Sequence, residues 1–347
     1  MVTSQSSPLL NLPPEILILI LEKADFKSLQ LFGRTCKFAR NIRSRVYIPH
    51  EEIKVFFLFD EAVHVFYLTQ GAAAGGDYKH EEDGCSVHGS GKTTLLKNED
   101  TMQIAHADFK SLLENQRTKL KKLTFTSLPD SDDQQESYSV PPIAFCEKLE
   151  QYLSARNPKL QVDEFSFDFA RDESHVMMIL PHLNPVIKKI CIFVMNKTQT
   201  GISFNNIAAT EHWRNAEAIE ITSKVNLSLD QFIHVRRGNL HLEKFTVADL
   251  LRLKEMFCEA PTRFDEIYIK CHDFGNQGSF EIPQLGPANN THNPPANIFK
   301  PQPEPPQKVE SWLFPTTNQS YKCCVTLEGW IWKATSVHVK IVPTMPE

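Results

Sequence analysis

The sequence of 347 residues has no apolar run close to the roughly 20 residues that a helix needs to span a bilayer. Its first residues are polar and do not form the basic, apolar and small-residue regions of a secretory signal peptide. We therefore expect an intracellular protein, in the cytoplasm, the nucleus or both, with no membrane partner.

The sequence also lacks a Cys-X-X-Cys pair and any Cys/His spacing that is typical of a metal site. Its eight cysteines are scattered: Cys36, Cys85, Cys146, Cys191, Cys258, Cys271, Cys323 and Cys324. Several lie in apolar, strand-like runs, so we expect buried, reduced thiols. Asp230, Asp249 and Glu255 are better interpreted as helix caps and solvated faces than as paired catalytic acids. The sequence thus predicts no catalytic residue, no metal and no cofactor.

An excess of positive charge is missing too, because the formal net charge is −5 at pH 7. This balance argues against general nucleic-acid binding. A local basic cluster, Arg117, Lys119, Lys121 and Lys122, ends a helix that we predict over residues 100–120. Cations complement the dipole at a helix C-terminus, so this position explains the cluster better than a nucleic-acid partner does. With 41% hydrophobic and 23% charged residues, the chain is expected to be globular.

What the sequence does contain is a compact, very apolar segment near its start. Pro13 and Pro14 suit the first turn of a helix, and Asn11 is a plausible cap ahead of them. Apolar residues then recur at helical spacing: Ile16, Leu17, Ile20 and Leu21. A module of about forty residues is too small to bury every apolar side chain. The remainder should contact a partner, although an amphipathic hairpin packed on its own domain is the alternative.

Two more helices are predicted in this segment, one capped by Asp25 and one over residues 36–42. The order of features resembles the F-box, a docking module, at five places: Leu12-Pro13, Glu15-Ile16, Ile20-Leu21, Ser28-Leu29 and Cys36-Lys37. Thr35 and Ala39 depart from the family, which usually has Val at the first position and a large residue at the second. Both departures should weaken packing around the third helix.

The F-box resemblance implies a partner and a set of contact residues. F-box proteins dock a Skp-type adaptor and, through it, a cullin ubiquitin ligase. The residues that the resemblance assigns to adaptor binding are Leu12, Pro13, Ile16, Leu17, Ile20, Leu21 and Leu29.

Beyond this module, residues 53–59 and 63–68 predict a β-hairpin, and the small and charged residues 71–84 predict a loop. The stretch His88-Gly89-Ser90-Gly91-Lys92-Thr93-Thr94 ends like a phosphate-binding loop. Such a loop needs a glycine five residues before Gly91, where this chain has Ser86. We therefore favour a hairpin loop over nucleotide binding.

A strand–helix alternation with a period of about 25 residues follows, which lies in the range of leucine-rich-type solenoids. Strands are predicted at 123–125, 162–169, 187–193, 218–222, 242–247 and 264–271, and helices at 145–154, 175–183, 227–235 and 247–260. The fold class is therefore predicted as α/β, with a three-helix F-box followed by a leucine-rich-repeat-like curved α/β solenoid. A closed α/β domain without repeats is the alternative.

Residues 175–271 resemble a second family, the FTH domain that follows the F-box in a large nematode family. The stretches concerned are Ile179 to Pro185, Glu211 to Glu217, Phe232 to His234 and Ala248 to Lys254. The resemblance implies a non-catalytic substrate receptor whose FTH region recruits a target protein. Trp213 is expected to pack between layers, although an exposed tryptophan would be a strong binding anchor.

Residues 281–308 are rich in Pro, Asn and Gln, and this composition predicts a linker or an insertion. Strands at 321–332 and 336–342 follow. The predicted organisation is 1–48 F-box, 49–120 connecting hairpin and helix, 121–280 FTH-like repeat domain, 281–308 linker and 309–347 C-terminal strand pair. The predicted function is the substrate-recognition subunit of a cullin-type ubiquitin ligase. The alternative is a non-ligase interaction scaffold with a degenerate F-box.

Overall fold

The structure, a computed structural model, describes residues 11–22, 32, 37–43, 50–57, 62–69, 72–89, 92–114, 116, 118–127, 143–168, 173–193, 202–274, 282–292, 307–330 and 333–344. The chain divides into two compact units. The first contains Met1–Ser166 and His182–Asn184, and the second contains Phe167–Pro181 and Pro185–Glu347. Both units are mixed α/β.

Two helices of the N-terminal segment are described, α1 (Pro14–Leu21) and α2 (Lys37–Arg43). Helix α1 begins directly after Pro13, which occupies the N-cap with extended dihedral angles and provides no side-chain cap. The prediction that Asn11 caps this helix is therefore wrong. Pro14 stands at the first helical position, where its fixed φ suits the helix and its missing N–H is no loss.

The first unit contains a sheet in the order β6-β1-β2-β3-β4-β5, with β7 on the outer side of β6. Its strands are β1 (Glu52–Phe57), β2 (Val63–Thr69), β3 (Ala72–Glu81), β4 (Gly84–Gly89), β5 (Lys92–Lys97), β6 (Leu120–Ser127) and β7 (Val162–Asp168). Strands β1 to β5 pair antiparallel with their neighbours, whereas β6 runs parallel to β1. The hairpin predicted from the two β-rich runs is confirmed as β1–β2.

The loop predicted over residues 71–84 is instead strand β3, which pairs with β2 and β4. Its small residues have little intrinsic strand preference, but they allow close backbone approach. A Cβ atom on Gly75 would lie only 2.5 Å from the carbonyl oxygen of Val65 on β2. The pairing therefore depends on the small residues that suggested a loop.

Helices α3 (Thr101–Glu114) and α4 (Ile143–Ala155) pack against each other in the first unit. Aromatic contacts extend this core, because the Phe145 ring lies 6.0 Å from Phe109 and 5.2 Å from Phe57. Helix α3 ends six residues before the predicted boundary, and Leu120 begins β6 instead.

The lysines of the basic cluster do not complement the C-terminus of helix α3. Lys119 Nζ lies 2.8 Å from Asp163 Oδ1, and Lys122 pairs with Glu164 of the same strand, β7. Lys121 Nζ lies 2.6 Å from Glu51 Oε2. The attribution of these lysines to a helix C-terminus is therefore wrong, since they form cross-strand ion pairs.

The second unit begins with parallel strands in sequential order: β8 (Lys189–Phe193), β10 (Ala218–Asn226), β11 (Arg237–Lys244) and β12 (Glu266–Asp273). A two-residue strand, β9 (Ile202–Ser203), also pairs with β10. Helices lie between the strands along the chain: α5 (Ser174–Ile179), α6 (Asn205–Ala208), α7 (Glu211–Asn215), α8 (Leu229–Phe232) and α9 (Val247–Glu259). The predicted strand–helix alternation is thus present, and the comparison with a leucine-rich solenoid stays a prediction.

Antiparallel strands extend this sheet beyond β12 in the order β12-β16-β15-β14-β13. They are β13 (Asn290–His292), β14 (Gln307–Pro315), β15 (Tyr321–Trp330) and β16 (Lys333–Pro343). The predicted C-terminal strand pair corresponds to β15 and β16. The segment predicted as a linker, 281–308, contains β13 and a 3-10 turn over Pro283–Leu285, and it reaches the first residues of β14.

Candidate docking surfaces

The two N-terminal helices share a small closed core. Leu17 and Leu21 of α1 and Ile42 of α2 have at most 5% of their surface exposed. Ile18 and Phe32 are partly buried against this cluster. Leu17 and Leu21 are four residues apart, so they stand on one face of α1 and fix its packing.

The opposite face of α1 is apolar and exposed. Ile16, Leu19 and Ile20 retain 46%, 58% and 44% of their surface, and their i, i+3, i+4 spacing makes them neighbours along the helix. We call these three residues the α1 stripe. Phe38 on α2 is a further large apolar side chain with 42% exposed. A helix of eight residues with apolar side chains on both faces is typical of one that packs on its own module and on a partner.

The residues that the F-box resemblance assigned to adaptor binding are therefore distributed over both faces. Ile16 and Ile20 lie in the α1 stripe, and Pro13 is exposed beside it. Leu12 is half-buried, while Leu17 and Leu21 lie in the core. The predicted second-helix residues Asp25 and Leu29, and the departure at Thr35, lie outside the described residues.

Ala39, the second departure from the F-box pattern, is fully buried in α2. Leu19 and Phe38 were not assigned to the adaptor, yet they are exposed. The spacing of Leu19 relative to Ile16 and Ile20 was the available signal, because the three share one helix face.

A second surface is formed by the sheet of the second unit, whose two faces differ sharply in polarity. Strand register aligns one buried apolar row across six strands: Ile192, Ile221, Leu240, Ile269, Val337 and Leu327. Side chains alternate along a strand, so the neighbouring positions point to the other face. Helix α9 packs against β15 and β16, and its own residues Leu250, Leu253 and Phe257 are buried.

The other face presents polar side chains in register, and we call its central row the open row. It consists of Glu220, Asn239, Tyr268, His338 and Thr326, which are aligned across β10, β11, β12, β16 and β15. Each is half-buried or exposed. A sheet that is packed on one side and solvated on the other gives this alternation.

Contacts within the open row hold its side chains in place. The rings of Tyr268 and His338 meet edge to face at 6.0 Å, and His338 Nε2 lies 3.5 Å from a carboxylate oxygen of Glu266. Lys189 Nζ lies 2.9 Å from Glu220 Oε2 at the β8 side. The row therefore combines a tyrosine, a histidine and charges of both signs on a rigid support, which suits recognition of a protein surface.

The helical side of this unit contains the stretches that resemble the FTH family. Trp213 of α7 is fully buried, so the tryptophan packs inside the unit and is not an exposed anchor. Thr246 and Asp249 form a capping box at the start of α9, as the interpretation of Asp249 as a cap predicted. Asp230 Oδ1 lies 2.6 Å from Arg252 Nη2 in a solvent-exposed ion pair.

The stretch that ends like a phosphate-binding loop has residues 88–89 at the end of β4 and residues 92–94 at the start of β5, which pair antiparallel, while residues 90–91 lie outside the described ranges. His88 stands opposite Thr93, with 2.9 Å between His88 Nδ1 and Thr93 Oγ1. Lys92 begins a strand, whereas a phosphate-binding loop places this lysine at a helix N-terminus. Within the described ranges, no group of three or more His, Cys, Asp or Glu side chains is arranged to hold a metal ion.

The part of the chain that the structure describes has no helix that combines the length and apolar character needed to cross a membrane.

Comparison with protein families gives two matches within the chain. The F-box domain model matches residues 9–46, which include α1 and α2, and the FTH domain model matches residues 144–282, which include β7 to β12. No curated protein and no solved structure matches the chain. F-box domains generally bind Skp-type adaptors, and F-box proteins are generally non-catalytic, which suggests a role in substrate recognition by a ubiquitin ligase. The chain thus contains an F-box domain over residues 9–46 and an FTH domain over residues 144–282.

Proposed function

We propose that this protein is the substrate-recognition subunit of a cullin-type ubiquitin ligase. Its F-box docks a Skp-type adaptor, which connects it to the cullin, and its FTH domain recruits a target protein. The protein itself performs no catalysis and requires no cofactor. The observation that supports docking most directly is the exposed α1 stripe, which lies in the F-box segment on the face opposite its closed core.

Covering the α1 stripe with a partner would remove its apolar surface from water. Full burial of an Ile or Leu side chain contributes about 1.5–3 kcal/mol relative to full exposure. About half of each side chain is exposed, so covering Ile16, Leu19 and Ile20 would contribute roughly 1 kcal/mol each. The buried Leu17 and Leu21 gain nothing further from a partner. We therefore assign adaptor contact to the stripe and assign the support of helix α1 to Leu17 and Leu21.

The test is adaptor binding by the double variant Ile16→Asp/Ile20→Asp. Both positions are exposed, so the variant should fold, and the two charges should abolish co-purification of a Skp-type adaptor. The matched control is Leu95→Asp on β5, since Leu95 has a similar exposed fraction of 45% and lies outside the F-box match. Adaptor binding by a folded Ile16→Asp/Ile20→Asp variant would refute docking through this stripe.

Target recruitment is proposed to use the open row of the second unit. Tyr268 and Asn239 stand opposite each other on β12 and β11, near the middle of that row. Their double replacement by Arg should remove the proteins that accumulate with the receptor under proteasome inhibition, while the adaptor remains bound. Glu255→Arg on the exposed side of helix α9 is the control. Retention of the same proteins by the double variant would place recruitment elsewhere.

The alternative of a non-ligase scaffold gives a different result in the same purification. A degenerate F-box would bring neither adaptor nor cullin with the wild-type protein, although other partners would remain. The buried Ala39 is the feature that favours it, because a small side chain contributes less to the contact between the helices than the large residue usual in the family.

We infer a three-helix F-box over residues 1–48, a connecting part over 49–120, a solenoid-like FTH domain over 121–280, a linker over 281–308 and C-terminal strands over 309–347. The sequential parallel order of β8, β10, β11 and β12 supports the solenoid. An intracellular location follows from the proposed ligase partners, and the nematode origin stays a prediction.

A further inference from the structure

The end of helix α9 is held by the turn that joins β14 to β15. The backbone N–H of Thr317 donates to the carbonyl oxygen of Cys258 over 2.8 Å. The Thr317 hydroxyl donates to the carbonyl oxygen of Glu259 over 2.9 Å. These bonds satisfy carbonyls that a helix C-terminus leaves without partners. They also fix Cys258 beside the strand that follows the turn.

That strand brings a second thiol to Cys258. Cys323 of β15 lies on the buried face of the sheet with no exposed surface, and its thiol lies within hydrogen-bonding reach of the Cys258 thiol on helix α9, which packs against β15. Cys258 itself is only half-buried. A partly exposed cysteine is thus paired with an enclosed one. The two are 65 residues apart in the sequence but adjacent in the fold.

The surroundings of Cys258 favour its thiolate form. The hydrogen bond from Cys323 lowers the pKa of the Cys258 thiol, and the nearby charge of Lys254 lowers this pKa further, while burial and the acids Glu255 and Glu259 oppose the change. The same hydrogen bond, together with burial, raises the pKa of Cys323. Thiolates, not thiols, react with oxidants, so Cys258 is the reactive member of the pair.

We propose that Cys258 and Cys323 form a reversible oxidation site, in which a hydroperoxide oxidises Cys258 and Cys323 then closes a disulfide. In the first step the Cys258 thiolate attacks one peroxide oxygen and the O–O bond breaks. Cys258 becomes a sulfenic acid, and the departing hydroxide or alkoxide takes up a proton. In the second step the Cys323 sulfur attacks the Cys258 sulfur and the S–O bond breaks. The departing hydroxide takes the Cys323 proton and leaves as water.

The disulfide would tie helix α9 of the FTH domain to a strand beyond the matched FTH residues. Strand β15 also contributes Thr326 to the open row on the opposite face of the sheet. Oxidation would therefore join strand β15 covalently to helix α9, on the face opposite the open row. A dithiol reductant would reverse this cross-link. The inference does not depend on the proposed ligase function.

The experiment treats the purified full chain with hydrogen peroxide and maps its peptides without reduction. We expect a cross-linked peptide pair that contains Cys258 and Cys323, lighter by two hydrogen atoms than the separate peptides and lost after dithiothreitol. In Cys323→Ser the sulfenic acid should persist and react with dimedone at Cys258. In Cys258→Ser no cross-link should form.

The matched control is Cys324→Ser, because Cys324 is adjacent to Cys323 in sequence, is half-buried like Cys258, and lies 3.8 Å from the hydroxyl of Thr326. This variant should form the cross-link as the wild type does. The inference fails if peroxide leaves Cys258 open to alkylation in the wild type. It also fails if Cys324 takes the place of Cys323 in the cross-link, or if Cys258 proceeds to sulfinic acid without closing a disulfide.

Discussion

Trp213 donates its indole N–H to the backbone carbonyl oxygen of Gln231 over 2.6 Å, which joins helix α7 to helix α8. The carbonyl oxygen of Trp213 in turn lies 2.7 Å from His234 Nε2. Gln231 also completes a capping box with Ser228 at the start of α8. These bonds connect two helices of four and five residues, which have too few hydrogen bonds of their own to be stable alone.

Replacements of Trp213 should separate the contribution of this hydrogen bond from that of the ring. Trp213→Phe keeps most of the apolar volume but leaves the Gln231 carbonyl without its donor, which costs about 1–3 kcal/mol. Trp213→Ala also leaves a cavity and should cost about 3–5 kcal/mol. Urea unfolding followed by circular dichroism measures both. Wild-type stability in Trp213→Phe would show that the hydrogen bond contributes nothing.

Trp213 also illustrates what the sequence could and could not predict. The neighbouring strand β10 was predicted in type over residues 218–222, whereas the five-residue helix that carries Trp213 was not predicted. Whether the indole is buried depends on α8, sixteen residues further along the chain, so the local pattern left both alternatives open. The same holds for the α1 stripe, since periodicity shows an apolar helix but not which side the core covers.

Strand β3 shows a stronger limit. Its Ala- and Gly-rich sequence has almost no strand preference, and it becomes a strand because β2 and β4 supply backbone partners on both sides. The open row on the sheet of the second unit could not be predicted from the sequence either. Strand register aligns Tyr268 with His338, which lies 70 residues away, and no local signal relates the two.

Arg156 is a residue whose role the sequence did not indicate. Its Nη1 donates to the carbonyl oxygen of Leu113 over 2.6 Å and its Nη2 to that of Gln116 over 2.5 Å. The guanidinium thus serves the C-terminal end of α3, where carbonyls lack helical partners. We expect Arg156→Met to lower the free energy of unfolding by roughly 1.5–3 kcal/mol, because both charge-assisted bonds are lost.

Arg156→Lys is the matched comparison, because lysine keeps the charge but has no planar fork that reaches two carbonyls at once. Its stability should lie between those of wild type and Arg156→Met in thermal or urea unfolding. Equal stability of all three proteins would mean that the end of α3 needs no such partner.

His106 on α3 should make the first unit less stable in acid. Burial lowers the pKa of this imidazole, and the charges of Lys148 and Lys110 lower it further. The ring also packs edge to face on Phe145 at 5.6 Å. The unfolded chain takes up a proton as pH falls through about 6.5, whereas the folded protein resists protonation until lower pH. The free energy of unfolding should therefore decrease with falling pH over this window and level off below the folded pKa.

His106→Gln should remove this part of the pH dependence, measured as the unfolding midpoint in urea between about pH 7.5 and about pH 5.5, which is about one unit to either side of the unfolded-state value. Lys148→Met should weaken the dependence without removing it, since burial is the larger cause of the lowered pKa. An unchanged slope in His106→Gln would contradict the assignment.

Gly84 and Gly89, at the two ends of strand β4, should differ in their tolerance of alanine. Gly84 follows the β3–β4 turn with φ of +144°, and a Cβ there would lie 2.2 Å from the carbonyl oxygen of Leu96. Gly84→Ala should cost about 1–3 kcal/mol from backbone strain, and more from the clash.

A Cβ on Gly89 would meet its nearest neighbour, the carbonyl oxygen of Gly75, at 3.5 Å, which is ordinary contact. Gly89→Ala should therefore change stability by less than about 0.5 kcal/mol. Hydrogen exchange of the β3–β4 and β4–β5 amides distinguishes the two variants, because only Gly84→Ala should open the hairpins. If Gly89→Ala opened them as much, the glycine of the motif His88 to Thr94 would have a conformational role that the hairpin geometry does not require.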